Sequence, residues 1–319
     1  MSTSAHRILV TQPIHAEVHA RLRRLGEVDV FPGPGALTPE ALAERLRPCT
    51  ALMGFMTDRV DDALLAQAPQ LRVVSAALKG YDSYDAAACA RRGIHFASVP
   101  DLLTAPTAEL GVGLAIALGR HVLAGDAQVR SGQFAGWRPQ FYGRGLVSAQ
   151  VAVIGLGKLG RALCLRLRPF GCRSIMGVDP NAPPPSGVVR VGLDAALATA
   201  DFVFLTAPLQ PDTIGLIGAE QIARTPPGCL WVNIGRGSVV DEAALLAGLQ
   251  SGHVGGYAAD VFAFEDWSLP DRPREIAPAL REHPRTVFTP HLGSAVREVR
   301  LAIEHAAVDA IERVLVGAA

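Results

Sequence analysis

The chain has 319 residues, of which 49% are hydrophobic and 19% charged, enough for packed cores and long for one domain. Thirty basic residues balance thirty acidic ones, so no global field draws the protein to nucleic acid or to a membrane, and any anion must be caught locally. The five cysteines are odd in number, scattered and without a CxxC pair, which argues against a disulfide framework and a zinc site and for a reducing compartment.

The opening MSTSAHRILV enters a strand almost at once, without the basic and apolar regions of a leader. No stretch of 18 apolar residues follows, so a cytoplasmic protein is expected. HRILVTQ, EVDVF, ALMGF, LRVVSAA and IHFASV predict strands, with helical patterns such as TPEALAERLR and VDDALLAQA between them, the alternation of a parallel sheet covered by helices. After Pro100, DLLTAPTAELGVGLAIALGRHVLAGDAQV predicts one longer helical stretch whose Gly- and Ala-lined face suits close packing between domains or subunits. A second alternating series follows in QVAVIG, SIMGVD, FVFLTAP, CLWVNIG, GGYAADVF and TVFTPH, and AVREVRLAIEHAAVDAIERVLVG predicts a last helix. The expected architecture is α/β with two doubly wound parallel-sheet domains. Residues 1–100 form the substrate-binding one, residues 101–291 the dinucleotide-binding one, and 292–319 return to the first, with a ligand cleft between.

VAVIGLGKLGRAL sets Gly155, Gly157 and Gly160 in the spacing GxGxxG, directly after a strand and opening a helix. The first glycine makes the tight turn, the second lets backbone approach a pyrophosphate, and the third lets helix pack on strand. Asp179 ends the next strand, 19 residues after Gly160, where an acid accepts hydrogen bonds from the ribose hydroxyls of NAD and repels the 2′-phosphate of NADP. Pro180 and Asn181 follow where an arginine would have welcomed that phosphate.

Three charged or titratable residues stand just beyond strands of the second series: Arg236, Glu265 and His291. The carboxyl ends of strands in an open parallel sheet face the ligand crevice, so the three can converge there. Histidine trades a proton near neutral pH, a carboxylate behind it fixes the tautomer, and an arginine grips an anion with two prongs. Singly each has a plainer reading: Arg236 could pair with Asp241, Glu265 sits in an acidic loop, and His291 could satisfy a carbonyl. His15 and His19 lie four apart in HAEVH, but the glutamate is misplaced for HExxH and no third ligand is evident, so no metal is expected. The absence of GxSxG and GxxxxGK[ST] removes the common hydrolase and NTPase readings.

VIGLGKLG, NIGRGSVVDEAAL, GGYAADVFAFED and TPHLGSA resemble the D-2-hydroxyacid dehydrogenase family, and the resemblance runs over essentially the whole chain. FMTDRV, ALKGYDSYD, VPDLLTAPTAELGVGLAIALGRH, RSGQFAGWRPQFYG and FEDW resemble more closely one branch of it, the NAD-dependent phosphite dehydrogenases. The resemblance implies a Rossmann cofactor domain, a flavodoxin-like substrate domain, NAD as cofactor, and a homodimer built on the Gly- and Ala-rich stretch around residues 104–124. It gives Arg236, Glu265 and His291 the catalytic places and puts Lys79 and Gly80 against substrate, with Met56, Trp137, Tyr142 and Ser294 lining the pocket. It assigns cofactor contacts to Leu103, Thr107, Gly155, Gly157, Lys158, Leu159, Gly160, Asp179, Thr206, Ala207, Pro208, Ile234, Arg236, Asp260 and His291, with Asp260 on the carboxamide. Ala263 departs from the acidic residue that many relatives carry. The implied reaction is oxidation of phosphite to phosphate, with His291 taking a proton from the attacking water while Arg236 and Lys79 hold a dianion; Lys79 could instead pair with Asp82, Asp85 or Glu265. A glyoxylate or hydroxypyruvate reductase would share every catalytic residue, and a non-catalytic NADH-sensing corepressor is the remaining alternative.

Overall fold

The computed structural model describes residues 6–33 and 35–317. The chain divides into two units, the first comprising Met1–Leu103, Trp267–Asp271 and Ala295–Ala319, the second Thr104–Asp266 and Arg272–Ser294. The short insertion Trp267–Asp271 has no counterpart in the boundaries read from sequence.

In the first unit the strands β1 (His6–Val10), β2 (Gly26–Val30), β3 (Ala51–Gly54), β4 (Val73–Ala76) and β5 (His95–Ser98) form a parallel sheet in the order β2-β1-β3-β4-β5. The centre of the sheet is buried on both faces, as continuous runs such as ALMG and VVSA require. The helix Arg297–Leu315 packs on this sheet through Ile303, Ala307, Val308 and Ile311. Polar ties fix its position: the Ser75 hydroxyl donates to the Ala307 carbonyl at 2.8 Å, and buried Glu304 accepts from both the amide and Nδ1 of His15 at 2.9 Å.

The second unit holds β6 (Gln150–Ile154), β7 (Ser174–Val178), β8 (Val189–Arg190), β9 (Phe202–Leu205), β10 (Cys229–Asn233), β11 (Val254–Ala259) and β12 (Thr286–Phe288). They too are parallel, in the order β12-β11-β10-β9-β6-β7-β8. Trp231, Tyr257, Phe202 and Phe204 fill its interior. β8, two exposed residues, carries no pattern and was not foreseen.

The single long helix expected after Pro100 is instead two, Thr104–Gly119 and Val122–Arg130, bent by 63°. His121 at the break takes a left-handed conformation with φ 53°. Gly119 permits the break: a Cβ there would lie 2.4 Å from the Arg144 carbonyl, while the Arg144 amide donates to the Gly119 carbonyl at 2.8 Å. No single helix among the described residues is long and apolar enough to cross a membrane.

Candidate active site

The strand order of the second sheet reverses between β6 and β9, and the turns leaving these parallel strands meet. Gly155, with φ 95°, has no room for a side chain, since a Cβ would stand 2.7 Å from the Ala207 amide nitrogen. Gly160 is pressed on the same turn, its Cβ position 1.9 Å from the Gly155 carbonyl oxygen. The Thr206 hydroxyl donates to that carbonyl at 2.7 Å, tying the two turns together. Gly157 meets open space where its Cβ would be, so the start of the helix Lys158–Leu167 stays accessible, a cradle that fits a pyrophosphate.

Asp179, past β7, accepts hydrogen bonds from the amides of Leu156 at 2.7 Å, Asn181 at 2.8 Å and Ala182 at 2.7 Å. Burial works to raise its pKa, but these three amides and Arg190 outweigh it and hold the carboxyl below the usual range. The acid is therefore a fixed anion at the place where a ribose would lie. An arginine is also close. Arg190 donates to the carbonyls of Asp179 and Pro180 at 3.1 and 2.7 Å, a neighbour that Pro180 and Asn181 did not announce.

Arg236, Glu265 and His291 leave the carboxyl ends of adjacent strands β10, β11 and β12. His291 Nδ1 lies 2.9 Å from Glu265 Oε2, and Glu265 Oε1 accepts the Phe262 amide at 2.8 Å, so the carboxylate is held from behind while it orients the imidazole. His291 sits at φ 56°, a strained backbone for a histidine, and its amide faces the Asp260 and Thr289 carbonyls, each at 3.0 Å. Asp260, 1% exposed, braces this turn: its carboxylate accepts the Thr289 hydroxyl at 2.6 Å and the amides of Leu292 and Gly293 at 2.6 and 2.8 Å. Burial raises the Asp260 pKa against those bonds.

Arg236 Nη1 donates to the Gly235 carbonyl at 2.9 Å. Asn233, fully buried at the end of β10, shapes this turn by donating to the Arg236 carbonyl at 2.9 Å and accepting the Gly235 amide at 3.1 Å. Asp241 caps the helix Glu242–Gln250 through the amides of Ala243 and Ala244. The turns carrying Arg236 and Glu265 interlock: a Cβ on Gly237 would stand 1.8 Å from the Phe262 carbonyl carbon. Glu242 accepts the Ala263 amide at 2.9 Å, and Asp266 accepts the Ser238 amide at 2.7 Å. Burial pushes both carboxyls upward.

Residues 112–293 match the family described as D-isomer specific 2-hydroxyacid dehydrogenase, NAD binding domain. The chain belongs to that family. It is 32% identical to a glyoxylate reductase of Thermococcus litoralis over 302 residues, covering 92% of this chain and 89% of that one. It is 31% identical to glyoxylate/hydroxypyruvate reductase B of Yersinia enterocolitica over 319 residues, covering 97% and 94%. Among solved structures, the NADPH-dependent glyoxylate/hydroxypyruvate reductase of Sinorhizobium meliloti in complex with NADP and malonate superposes with a TM-score of 0.84 at 27% identity, covering 97% of this chain and 93% of that one.

The other residues expected from sequence are spread over both units. Thr107, Gly293 and Asp260 come together in the second unit, where a Cβ on Gly293 would stand 2.8 Å from Thr107 Oγ1 and 3.2 Å from Asp260 Oδ2. Ile234 sits just past β10, and Ala207 and Pro208 past β9. Met56, Lys79 and Gly80 follow β3 and β4 of the first unit. Lys79 there forms an ion pair with Asp101, a partner outside the three weighed from sequence. Trp137 and Tyr142 are 80% and 81% exposed on the second unit, so the chain does not itself bury them. Sequence reasoning missed Asn233, Glu242 and Asp266 as supports of the turns that carry Arg236 and Glu265. Their signal was present, since polar residues beside strand ends and a Gly237 that admits no side chain mark closely packed turns.

Proposed function

We propose that the protein is an NAD-dependent oxidoreductase that moves hydride between the nicotinamide and a small 2-oxo or 2-hydroxy acid of the glyoxylate and hydroxypyruvate class. The observation that carries this reading is the His291–Glu265 pair on a strained turn, one strand from Arg236, within the NAD-binding domain. When bound, the dihydronicotinamide supplies the hydride. His291 enters as the imidazolium, which Glu265 steadies, and gives its proton to the carbonyl oxygen as that oxygen gains charge, leaving neutral imidazole, while the Arg236 fork holds the substrate carboxylate. Asp260 keeps His291 in place by bracing its turn. Curated relatives named glyoxylate reductase support this substrate class.

Oxidation of phosphite is the second reading, favoured by ALKGYDSYD, RSGQFAGWRPQFYG and the other stretches that resemble that branch. Its charge argument is weakened, because the Lys79 cation expected to help balance a dianion is paired with Asp101. One spectrophotometric experiment separates the readings: NADH consumption with glyoxylate against NADH production with phosphite and NAD. Turnover of neither refutes both and leaves the corepressor reading.

A homodimer built on the second unit is part of the proposal. Ile116, Leu123, Val129, Phe134, Trp137 and Tyr142 are exposed along residues 116–142, an apolar surface that calls for cover. Light scattering at micromolar protein is expected to give twice 33.6 kDa, and a monomer mass counts against it. A cytoplasmic location fits the five free cysteines, four of them buried.

A further inference from the structure

The strand order of the first unit's sheet reverses between β1 and β3, and open α/β sheets take their ligands beyond the carboxyl ends of the strands that flank such a reversal. Here the chain fills that place with its own carboxylate. Asp58, 2% exposed, turns Oδ2 to the Thr11 hydroxyl just past β1, to the Phe55 amide at 2.7 Å just past β3, and to the Tyr84 hydroxyl at 3.3 Å. The Tyr84 hydroxyl also donates to the Phe55 carbonyl at 2.7 Å. Gly54 lets the end of β3 close onto this knot, for a Cβ there would stand 2.4 Å from the Tyr84 hydroxyl and 3.1 Å from Asp58 Oδ2. Phe55 is covered in turn by the Arg300 guanidinium, 5.7 Å from its ring centre.

The segments that meet at Asp58 are the ones that carry the substrate residues expected in this unit. Met56 lies between Phe55 and Asp58, while Lys79 and Gly80 open the segment that Tyr84 closes, where Tyr84 bridges Val60 and its amide bonds the Tyr81 carbonyl at 2.9 Å. We propose that Asp58 is a positioning residue for substrate binding, locking the turn at 55–58 to the segment 79–84 so that Met56, Lys79 and Gly80 keep one arrangement. The proposal rests on the reading that these three residues contact substrate.

Removing the carboxylate would leave the buried Thr11 hydroxyl and Phe55 amide without their acceptor and Tyr84 tied to the Phe55 carbonyl alone, and a turn released in this way shifts by enough to spoil a binding geometry. Burial pushes the Asp58 carboxyl up to about 6 against its three bonds, so above that pH it is the charged acceptor that the knot uses. A purely structural Asp58 would lower the melting temperature and leave the Michaelis constants alone, and that contrast supplies the test.

Steady-state kinetics on the full chain would use glyoxylate with NADH, or phosphite with NAD if that is the pair turned over. Asp58→Ala is expected to raise the KM of the acid about tenfold while the cofactor KM stays within about twofold. Asp58→Asn, which keeps an acceptor oxygen, should recover most of that loss. Tyr84→Phe removes one link without opening a cavity and should raise the same KM about threefold, which covers the case of an Asp58→Ala chain that does not fold. Met56→Ala separates the two layers of the argument. If it raises the KM while Asp58→Ala or Tyr84→Phe leaves it at the wild-type value, the positioning role is overturned. A wild-type KM in Met56→Ala overturns it at the level below, by removing the pocket on which it rests.

Discussion

Replacing Asp58 by asparagine isolates one titration in the first sheet. In the fold the Asp58 carboxyl is raised by burial from 3.8 to about 6, while in the unfolded chain it ionises at its ordinary value. Such a group stabilises the fold only while it holds its proton: the contribution is complete below 3.8 and is lost as pH climbs to about 6. A displacement of that size corresponds to roughly 3 kcal/mol. Asp58→Asn has nothing to titrate there, and Tyr84, pushed well above its usual range by burial and by Asp58, stays neutral throughout. The other raised carboxyls, Asp260, Asp266 and Glu242, are common to both proteins and cancel in the comparison. Urea unfolding between pH 4 and pH 7.5, followed by amide exchange across β1 and β3, should therefore show the stability of wild type relative to Asp58→Asn falling by about 2.5 kcal/mol as pH rises, the unfolded carboxyl being already partly ionised at pH 4. Parallel stability curves for the two proteins, or a difference that grows in the opposite direction, would refute the reasoning.

His291→Ala should lower kcat by about 10²–10⁴-fold, the usual share of a positioned proton donor, with NADH binding measured by fluorescence little changed. Asp179, held as an anion by three backbone amides, should make kcat/KM for NADH at least about tenfold higher than for NADPH. Asp179→Ala should narrow that gap, because Arg190 is already bonded to the neighbouring carbonyls; equal use of the two cofactors by wild type would contradict this. Gly237→Ala places a methyl group against the Phe262 backbone and should cost about 1–3 kcal/mol by overpacking, and because the displaced turn carries Glu265, kcat should fall together with the melting temperature. A variant that melts early but keeps wild-type kcat would show that the two turns are not coupled.

The glycine turn was legible because strand, GxGxxG, helix and Asp179 stand in one local order that a single mechanism explains. The placement of Arg236, Glu265 and His291 beyond adjacent strands was legible for a related reason, since parallel strands bring residues far apart in sequence to one edge. What stayed hidden depends on three-dimensional neighbours. The Lys79–Asp101 pair joins residues on either side of β5, and no spacing rule points to Asp101. Arg190 reaches Asp179 because β8 lies beside β7, yet β8 is too short to show a pattern. The helix break at His121 rests on one left-handed residue and on contact with Arg144, neither of which alters the apolar periodicity. Nothing in FMTDRV sets Asp58 apart, and its burial follows only from the convergence of Thr11, Phe55 and Tyr84.

The helix Arg297–Leu315 closes the first unit from the far end of the chain, and this sets an order of assembly. His15 and Glu304 are 289 residues apart, and Arg21 reaches Glu312 across 291. Their closure entropy must be met before the first sheet gains its cover, whereas the second unit draws its whole sheet from Thr104–Asp266 and Arg272–Ser294. A ribosome thus releases the material for nearly all of the second unit while Ile8, Val10 and Val73 still lack the Ile303 and Val308 that pack with them. During that interval the nascent first unit presents a bare apolar sheet face, the state most open to aggregation and to chaperone capture. Interruption of translation shortly before Arg297 should accordingly yield a folded second unit carrying a sticky, protease-sensitive partner.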